Sequence, residues 1–289
     1  MKILTIILAF FLSFFSSNSI KASTVSDSII PTSTPQYQYP ESARKGRFYF
    51  YWGYNRATFL DSDIRFVGPN YDFTLFDVKA VDYPTTFNVE TYFGVTTLWI
   101  PQYNYRIGYY LSPRWGISLG LDHIKYVVLN EQTVRMTGNV SPAASQKYAG
   151  TYNNSPVVTT EDFLRFEHTD GLNLLSLDAE YGQPLAKFWK SRLRLSFQGG
   201  GGAGPVIPRT DSSVFGDGLN NKFHVAGWGI SGKAGFKLDI FKKFFIESQV
   251  RAGYINLSDI ILHNEQPQRA KQSIYFNEIF VVAGVYFGG

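Results

Sequence analysis

Cysteine is absent from all 289 residues, which excludes a disulfide framework, a thiolate metal site, a cysteine nucleophile and the lipid-bearing cysteine of a lipoprotein. Long apolar runs are missing beyond the N-terminus, and mean hydropathy is slightly negative, so a bundle of membrane-spanning helices is excluded. Excess charge of one sign is missing too. Lys and Arg number 27 and Asp and Glu 23, and Lys2 and Lys21 fall in a leader segment, so the remaining chain carries a surplus of two cations and no case for nucleic acid. Histidine is scarce, with four residues and no close ligand spacing, which weakens zinc.

What is abundant is aromatic: 5 Trp, 19 Tyr and 25 Phe, beside 26 Gly. A transmembrane β-barrel accommodates that composition at low mean hydropathy, because only alternate residues face lipid and aromatics gather at both interfaces. The N-terminus supplies an export signal. Lys2 precedes the apolar run Ile3–Phe15, and small and polar residues end at Ala22. That run is too short to span a bilayer, so residues 1–22 read as a signal peptide cleaved after Ala22. Residues 23–46, with Pro31, Pro35 and Pro40, read as a flexible periplasmic lead-in, and residues 47–289 as the barrel.

Eight segments alternate with a period of two, as half-buried strands must. Their outward sets begin with Phe48, Phe50, Trp52 and Tyr54, and continue with Tyr105, Ile107 and Tyr109, with Trp115, Ile117, Leu119 and Leu121, and with Leu175, Leu177, Ala179 and Tyr181. Leu193, Leu195 and Phe197 make the fifth, Trp228, Ile230, Phe236 and Leu238 the sixth, Ile246, Val250 and Tyr254 the seventh, and Ile279, Val281, Val285 and Phe287 the eighth. The connections alternate long and short. The expected fold is therefore all-β, an eight-stranded antiparallel up-and-down transmembrane barrel with short periplasmic turns, long extracellular loops and both termini periplasmic.

In this architecture the chain resembles small eight-stranded outer-membrane barrels of the OmpA-like and OmpW-like kind over residues 47–289. Through Gly53-Tyr54-Asn55-Arg56, Ser62-Asp63-Ile64, Tyr71-Asp72-Phe73-Thr74-Leu75 and Glu167-His168-Thr169-Asp170-Gly171-Leu172-Asn173 it is also similar to a group of outer-membrane β-barrel proteins without an established activity. The resemblance implies localisation in the outer membrane of a Gram-negative bacterium, and contact with outer-membrane lipids and lipopolysaccharide. It also implies the barrel assembly machinery as a partner during biogenesis. The aromatic end that this machinery reads is displaced here, since Tyr286-Phe287 is followed by Gly288-Gly289.

Three groups of residues are candidates for chemistry. Arg106, Asp178, Glu180, Arg194, Lys233, Lys237, Asp239, Glu247, Arg251 and Glu278 fall on inward positions. In so narrow a lumen they should pair with one another rather than line an ion path. Near the outer rim, Asp122, His123 and Lys125 end one strand, while Glu167, His168, Asp170 and Asn173 begin the next. A histidine beside a carboxylate suits a general base, but the one Gly-x-Ser-x-Gly pattern, Gly116-Ile117-Ser118-Leu119-Gly120, falls inside a barrel-strand segment and not at a strand-to-helix turn, so it makes no nucleophile elbow. Asp61, Asp63 and Asp72 are weak candidates for Ca²⁺, off the EF-hand spacing, and no cofactor is implied. The run Gly199–Gly202 lacks the Lys and Ser/Thr of a phosphate loop and reads as barrel strand, leaving room for bulky lumen residues such as Tyr49 and Tyr51. The leading reading is a non-enzymatic barrel acting through its loops. The alternatives are a hydrolase or acyltransferase acting on lipid A or phospholipid, and uptake of small hydrophobic compounds through a lateral opening near Pro101.

Overall fold

The computed structural model describes residues 44–189, 192–218, 220 and 222–288. The signal peptide and residues 23–43 of the lead-in lie outside them. In chain order the elements are β1 (Phe48–Phe59), β2 (Ser62–Gly68), β3 (Tyr71–Val78), β4 (Ala80–Val81), helix α1 (Val89–Phe93), β5 (Tyr103–Tyr110), β6 (Trp115–Val128) and β7 (Thr133–Val140). There follow β8 (Gly150–Val158), β9 (Leu164–Phe188), β10 (Leu193–Pro208), β11 (Asp211–Val214), β12 (Gly227–Ile240), β13 (Phe244–Ile261) and β14 (Arg269–Phe287).

Eight of these close a ring in the order β1-β5-β6-β9-β10-β12-β13-β14, and β14 returns to β1 with Phe48 opposite Phe287. Every pairing in the ring is antiparallel. The ring thus has no free edge, which lets every backbone group in its wall be satisfied without water. The short turns lie at one end together with both described termini: Arg47 Nη1 donates to Lys242 O in the β12–β13 turn at 2.9 Å. The lead-in's last residues are anchored there as well. Arg44 enters the barrel and binds Asp239 at 2.6 Å.

The outer face carries the apolar alternates. Phe50, Ile107, Ile117, Leu119, Leu177, Ile230, Ile246 and Val281 are all exposed. Aromatic pairs bound this band at both ends. Phe48 with Phe287 and Trp115 with Tyr181 stand at the turn end, and Tyr103 with Tyr105 and Trp228 with Tyr254 at the other. From Tyr275 to Phe287 along β14 the band spans about 30 Å at ~3.3 Å per residue and a tilt of ~40°, the thickness of a bilayer's hydrocarbon core.

The lumen is filled. Among the described residues, six cations (Arg44, Arg106, Arg194, Lys233, Lys237, Arg251) and six carboxylates (Asp122, Asp178, Glu180, Asp239, Glu247, Glu278) are buried, so their charge cancels. Arg106 reaches Asp178 at 2.9 Å and Asp122 at 3.3 Å, and Lys233 bridges Asp178 at 3.0 Å and Glu180 at 2.5 Å. Arg251 binds Asp122, Lys237 binds Glu247 at 2.7 Å, and Arg194 shares Asp239 with Arg44. Toward the turn end the filling becomes aromatic, with Tyr49, Tyr51, Tyr110, Phe245, Phe280 and Tyr286 in one cluster. The Lys237 ammonium lies 4.5 Å from the Phe245 ring centroid, a cation–π contact. Gly108 makes room for this packing, because an added Cβ there would overlap the Tyr49 ring. Tyr49 therefore owes its space to Gly108, not to Gly199–Gly202, which run along β10 with Gly200 and Gly202 against Glu180 and Asp178 of β9.

Beyond the rim the long connections are built in large part of strands. The far ends of β6, β9, β13 and β14 project past the barrel, β11 adds to β9, and the sheet continues from β14 through β2, β3 and β7 to β8. These strands enclose a second core, built around Ile64, Phe66, Phe73, Met136, Phe166 and Leu257. We call this part the head. Polarity inverts at the junction. On β6 the inward residues change from Gly116, Ser118, Gly120 and Asp122 to Ile124, Tyr126 and Val128, while the outward ones change from Leu119 and Leu121 to Lys125. Below that level the outside is apolar; above it the inside is.

His168 sits in the head core against Phe166 and Tyr126, with Nδ1 3.1 Å from Thr210 Oγ1. Burial pushes its pKa down from 6.5 to about 3.

Two outcomes follow from this packing. Glu247→Gln strands the Lys237 ammonium and should lower the unfolding free energy by about 3–5 kcal/mol. Lys237→Met combined with Glu247→Gln should cost far less than the two single changes together, as read from urea unfolding of the folded barrel; strict additivity would show the pair to be uncoupled. For His168, the unfolded chain takes up a proton near pH 6.5 that the folded head refuses down to about 3. Its contribution is therefore complete above about pH 6.5 and is lost as pH falls toward 3, by about 3 kcal/mol at pH 4. Amide exchange of the head at pH 7 and pH 4 should show the loss, and His168→Phe should flatten it.

Candidate functional site

The rim residues do not all form one constellation; the structure gathers His123, Lys125, Asp170 and Asn173 and sends the others elsewhere. Asp122 points into the lumen and belongs to the Arg106 and Arg251 network. His168 is inside the head core. Asp170 pairs with Arg209 at 3.1 Å. Glu167 faces outward from β9 beside Asp211, and its pKa is raised, first by burial. The expected cluster is thus narrowed: His123 shares its surroundings with Asp170 and Asn173, whereas strand alternation sends Asp122 to the opposite face of the wall.

His123 and Asn173 do meet. They are register partners on β6 and β9, and His123 Nδ1 lies 2.8 Å from Asn173 Oδ1. Asn173 Nδ2 donates to Ile207 O at 3.0 Å, which turns the amide oxygen toward the histidine and assigns the proton to Nδ1. The ring also stacks on Tyr103, centroids 4.7 Å apart. Gly171, at φ +122°, lets β9 bulge beside the pair; a Cβ there would stand 2.7 Å from His123 Cε1. The partner that orients His123 is therefore a neutral carboxamide, and burial lowers the ring's pKa. The carboxylate that favours its protonated form, Asp170, acts on it across the groove and not through a hydrogen bond to the ring.

His123 and Tyr103 form the floor of a groove of about 450 Å³ on the outer wall, just above the apolar band. Lys125, from the next outward position of β6, points into it, as do Thr169 and Asp170 of β9 and Arg209 after β10. Trp99 and Ile100, from the connection between α1 and β5, and Phe223, from the one before β12, form its apolar lips. Sequence reading placed His123, Lys125, Asp170 and Asn173 at this rim but missed Trp99, Arg209 and Phe223. Those three arrive from connections remote in the chain, and no periodic signal joins them.

A seam lies beside the groove. β5 ends at Tyr103, opposite Tyr54, so above that level the regular ladder between β1 and β6 gives way to a main-chain bond and side-chain bridges. Asn55 N–H donates to Gln102 O at 3.4 Å, and Asp82 accepts from Ala57 N–H at 3.2 Å and from Gln102 Nε2 at 2.5 Å. Pro101, just ahead of β5, is buried there.

The acidic residues of the first connection have protein partners. Asp72 forms a two-pronged pair with Arg65 at 3.0 and 2.7 Å, and Asp63 accepts the Asp77 N–H at 3.0 Å. Asp61 lines a polar groove with Lys271 and Tyr275. Among the described residues no group of three or more candidate ligands converges as a metal site would require.

No family model matches the sequence, and no curated protein matches it. Among solved structures, the outer membrane protein OprG from Pseudomonas aeruginosa is similar with a TM-score of 0.40 and 11% sequence identity, covering 86% of this chain and 99% of its own. The outer membrane protein AlkL is similar with a TM-score of 0.37 and 10% identity, over 93% and 98% of the two chains. For the N-terminal β-barrel domain of Pseudomonas aeruginosa OprF the values are 0.29 and 11%, over 84% and 98%.

Proposed function

We propose that the chain is an integral outer-membrane protein, not an enzyme, whose plugged barrel anchors an ordered head outside the cell, where head and rim engage envelope lipids or surface partners. The observation that carries this reading is the inversion of polarity at one level of β6, from an apolar exterior at Leu119 and Leu121 to an apolar interior at Ile124 and Tyr126. Such an inversion separates a segment solvated by hydrocarbon from one solvated by water. The charge-neutral lumen supports an anchor over a pore. The carboxamide beside His123 supports binding over acid–base chemistry.

A second reading, uptake of small hydrophobic compounds, is favoured by the seam beside Pro101, where the Asp82 and Gln102 side chains help to close the wall. Entry of a labelled apolar compound into cells making the chain, at the rate of cells lacking it, would remove that reading.

Orientation is tested with short epitope tags at Gly150, at the start of β8 in the head, and at Phe241-Lys242 in the β12–β13 turn. Antibody on intact cells should reach the Gly150 tag alone. Labelling of the turn tag instead would reverse the topology and overturn the reading.

A further inference from the structure

The outer-wall groove has a chemistry that its place in the fold makes specific. Its central cation, Lys125, is half-buried and donates to Thr85 Oγ1 at 3.3 Å and to Ile100 O at 3.1 Å, both neutral acceptors. Among the described residues no carboxylate comes within ion-pair distance of it. An ammonium carries three donors, and withdrawing it partly from water without a carboxylate in contact is unfavourable; burial lowers its pKa despite the more distant Asp170 and Asp82. A second cation, Arg209, stands in the same groove beside Asp170 and lies 6.0 Å over the Phe223 ring. The polar part of the groove thus has a surplus of positive charge and a donor aimed at neutral oxygens.

The surroundings say what kind of anion fits. Directly below, on the outer faces of β5, β6 and β9, Tyr105, Leu121 and Leu175 begin the apolar band. At the mouth, Trp99 and Phe223 are 61% and 55% exposed, an arrangement suited to the headgroup level of a bilayer. A soluble anion would use the cations and leave this apolar track uncovered.

We propose that the groove holds the phosphorylated headgroup of a lipid in the outer leaflet, with Lys125 and Arg209 donating to phosphate oxygens, Trp99 and Phe223 packing on the glycosidic or glyceryl part, and acyl chains descending over Tyr105, Leu121 and Leu175. This rests on the outer-membrane placement proposed above. His123 acts as a positioning residue: stacked on Tyr103 and tied to Asn173, it shapes the floor.

The test uses the full chain folded in detergent, with bisphosphorylated lipid A, its dephosphorylated counterpart and inorganic phosphate as probes, read by native mass spectrometry. Heat-modifiable migration on gels reports folding of each variant separately. The folded protein should retain bisphosphorylated lipid A about tenfold better than the dephosphorylated form. Lys125→Gln with Arg209→Gln should abolish that preference, whereas Lys125→Arg should keep it, an outcome that a merely structural role would not produce. Equal retention of both lipids, or undiminished preference in a folded double variant, would overturn the proposal. Complete displacement by millimolar phosphate would assign the site to a soluble anion and overturn it too. Because binding is read on purified protein, its failure is separable from a reversed topology on cells.

Discussion

Everything in this molecule depends on charge cancelling inside a sealed ring. An eight-stranded barrel has a lumen only wide enough for side chains, and a charge left unpaired there costs several kcal/mol. Six cations and six carboxylates meet that condition, and they do so as a network rather than as isolated pairs: Asp122 serves Arg106 and Arg251, Asp178 serves Arg106 and Lys233, and Asp239 serves Arg44 and Arg194. Partners drawn from opposite sides of the ring fix the strands relative to one another. The aromatic cluster toward the turns does the same by packing, with Tyr286 O–H donating to Asp239 at 2.7 Å where the two regions join.

The wall and its charged filling were legible in the sequence because one rule governs them. Apolar residues alternate with Gly, Ser and charged residues across each membrane strand, so Leu177, Ala179 and Tyr181 could be set against Asp178 and Glu180 by counting alone. The head was not legible by the same count, because alternation continues through the rim while its meaning reverses. β9 runs unbroken from Leu164 to Phe188, yet Glu167-His168-Thr169-Asp170-Gly171 reads as a loop to anyone seeking an apolar exterior. Leu164 and Phe166 are inward residues in a part of the strand where inward means dry. Ile64 with Phe66, Phe73 with Leu75, and Val134 with Met136 carry the same signal inside connections that length alone marked as loops.

The same reversal explains which part of the candidate site could be foreseen. His123 and Asn173 are register neighbours, so their meeting follows from the strand order. The separation of Asp122 from His123 also follows from alternation, and recognising it removes Asp122 as a carboxylate partner of that ring. His168 looks like a rim residue only until its strand is seen to continue into the head. The groove forms where the wall changes solvent, and the outward residue there is neither fully lipid-facing nor fully wet. Lys125 occupies that position, and its neighbours come from connections that no local pattern links to it.

The central claim, that the lumen is a neutral plug and the barrel an anchor, is tested most directly by ion conductance of the full chain reconstituted in a planar lipid bilayer. A filled, charge-cancelled interior predicts a membrane that stays at its baseline current at neutral pH and moderate voltage. Sustained, reproducible conductance steps that scale with the number of inserted molecules would show an open path through the network and contradict the account.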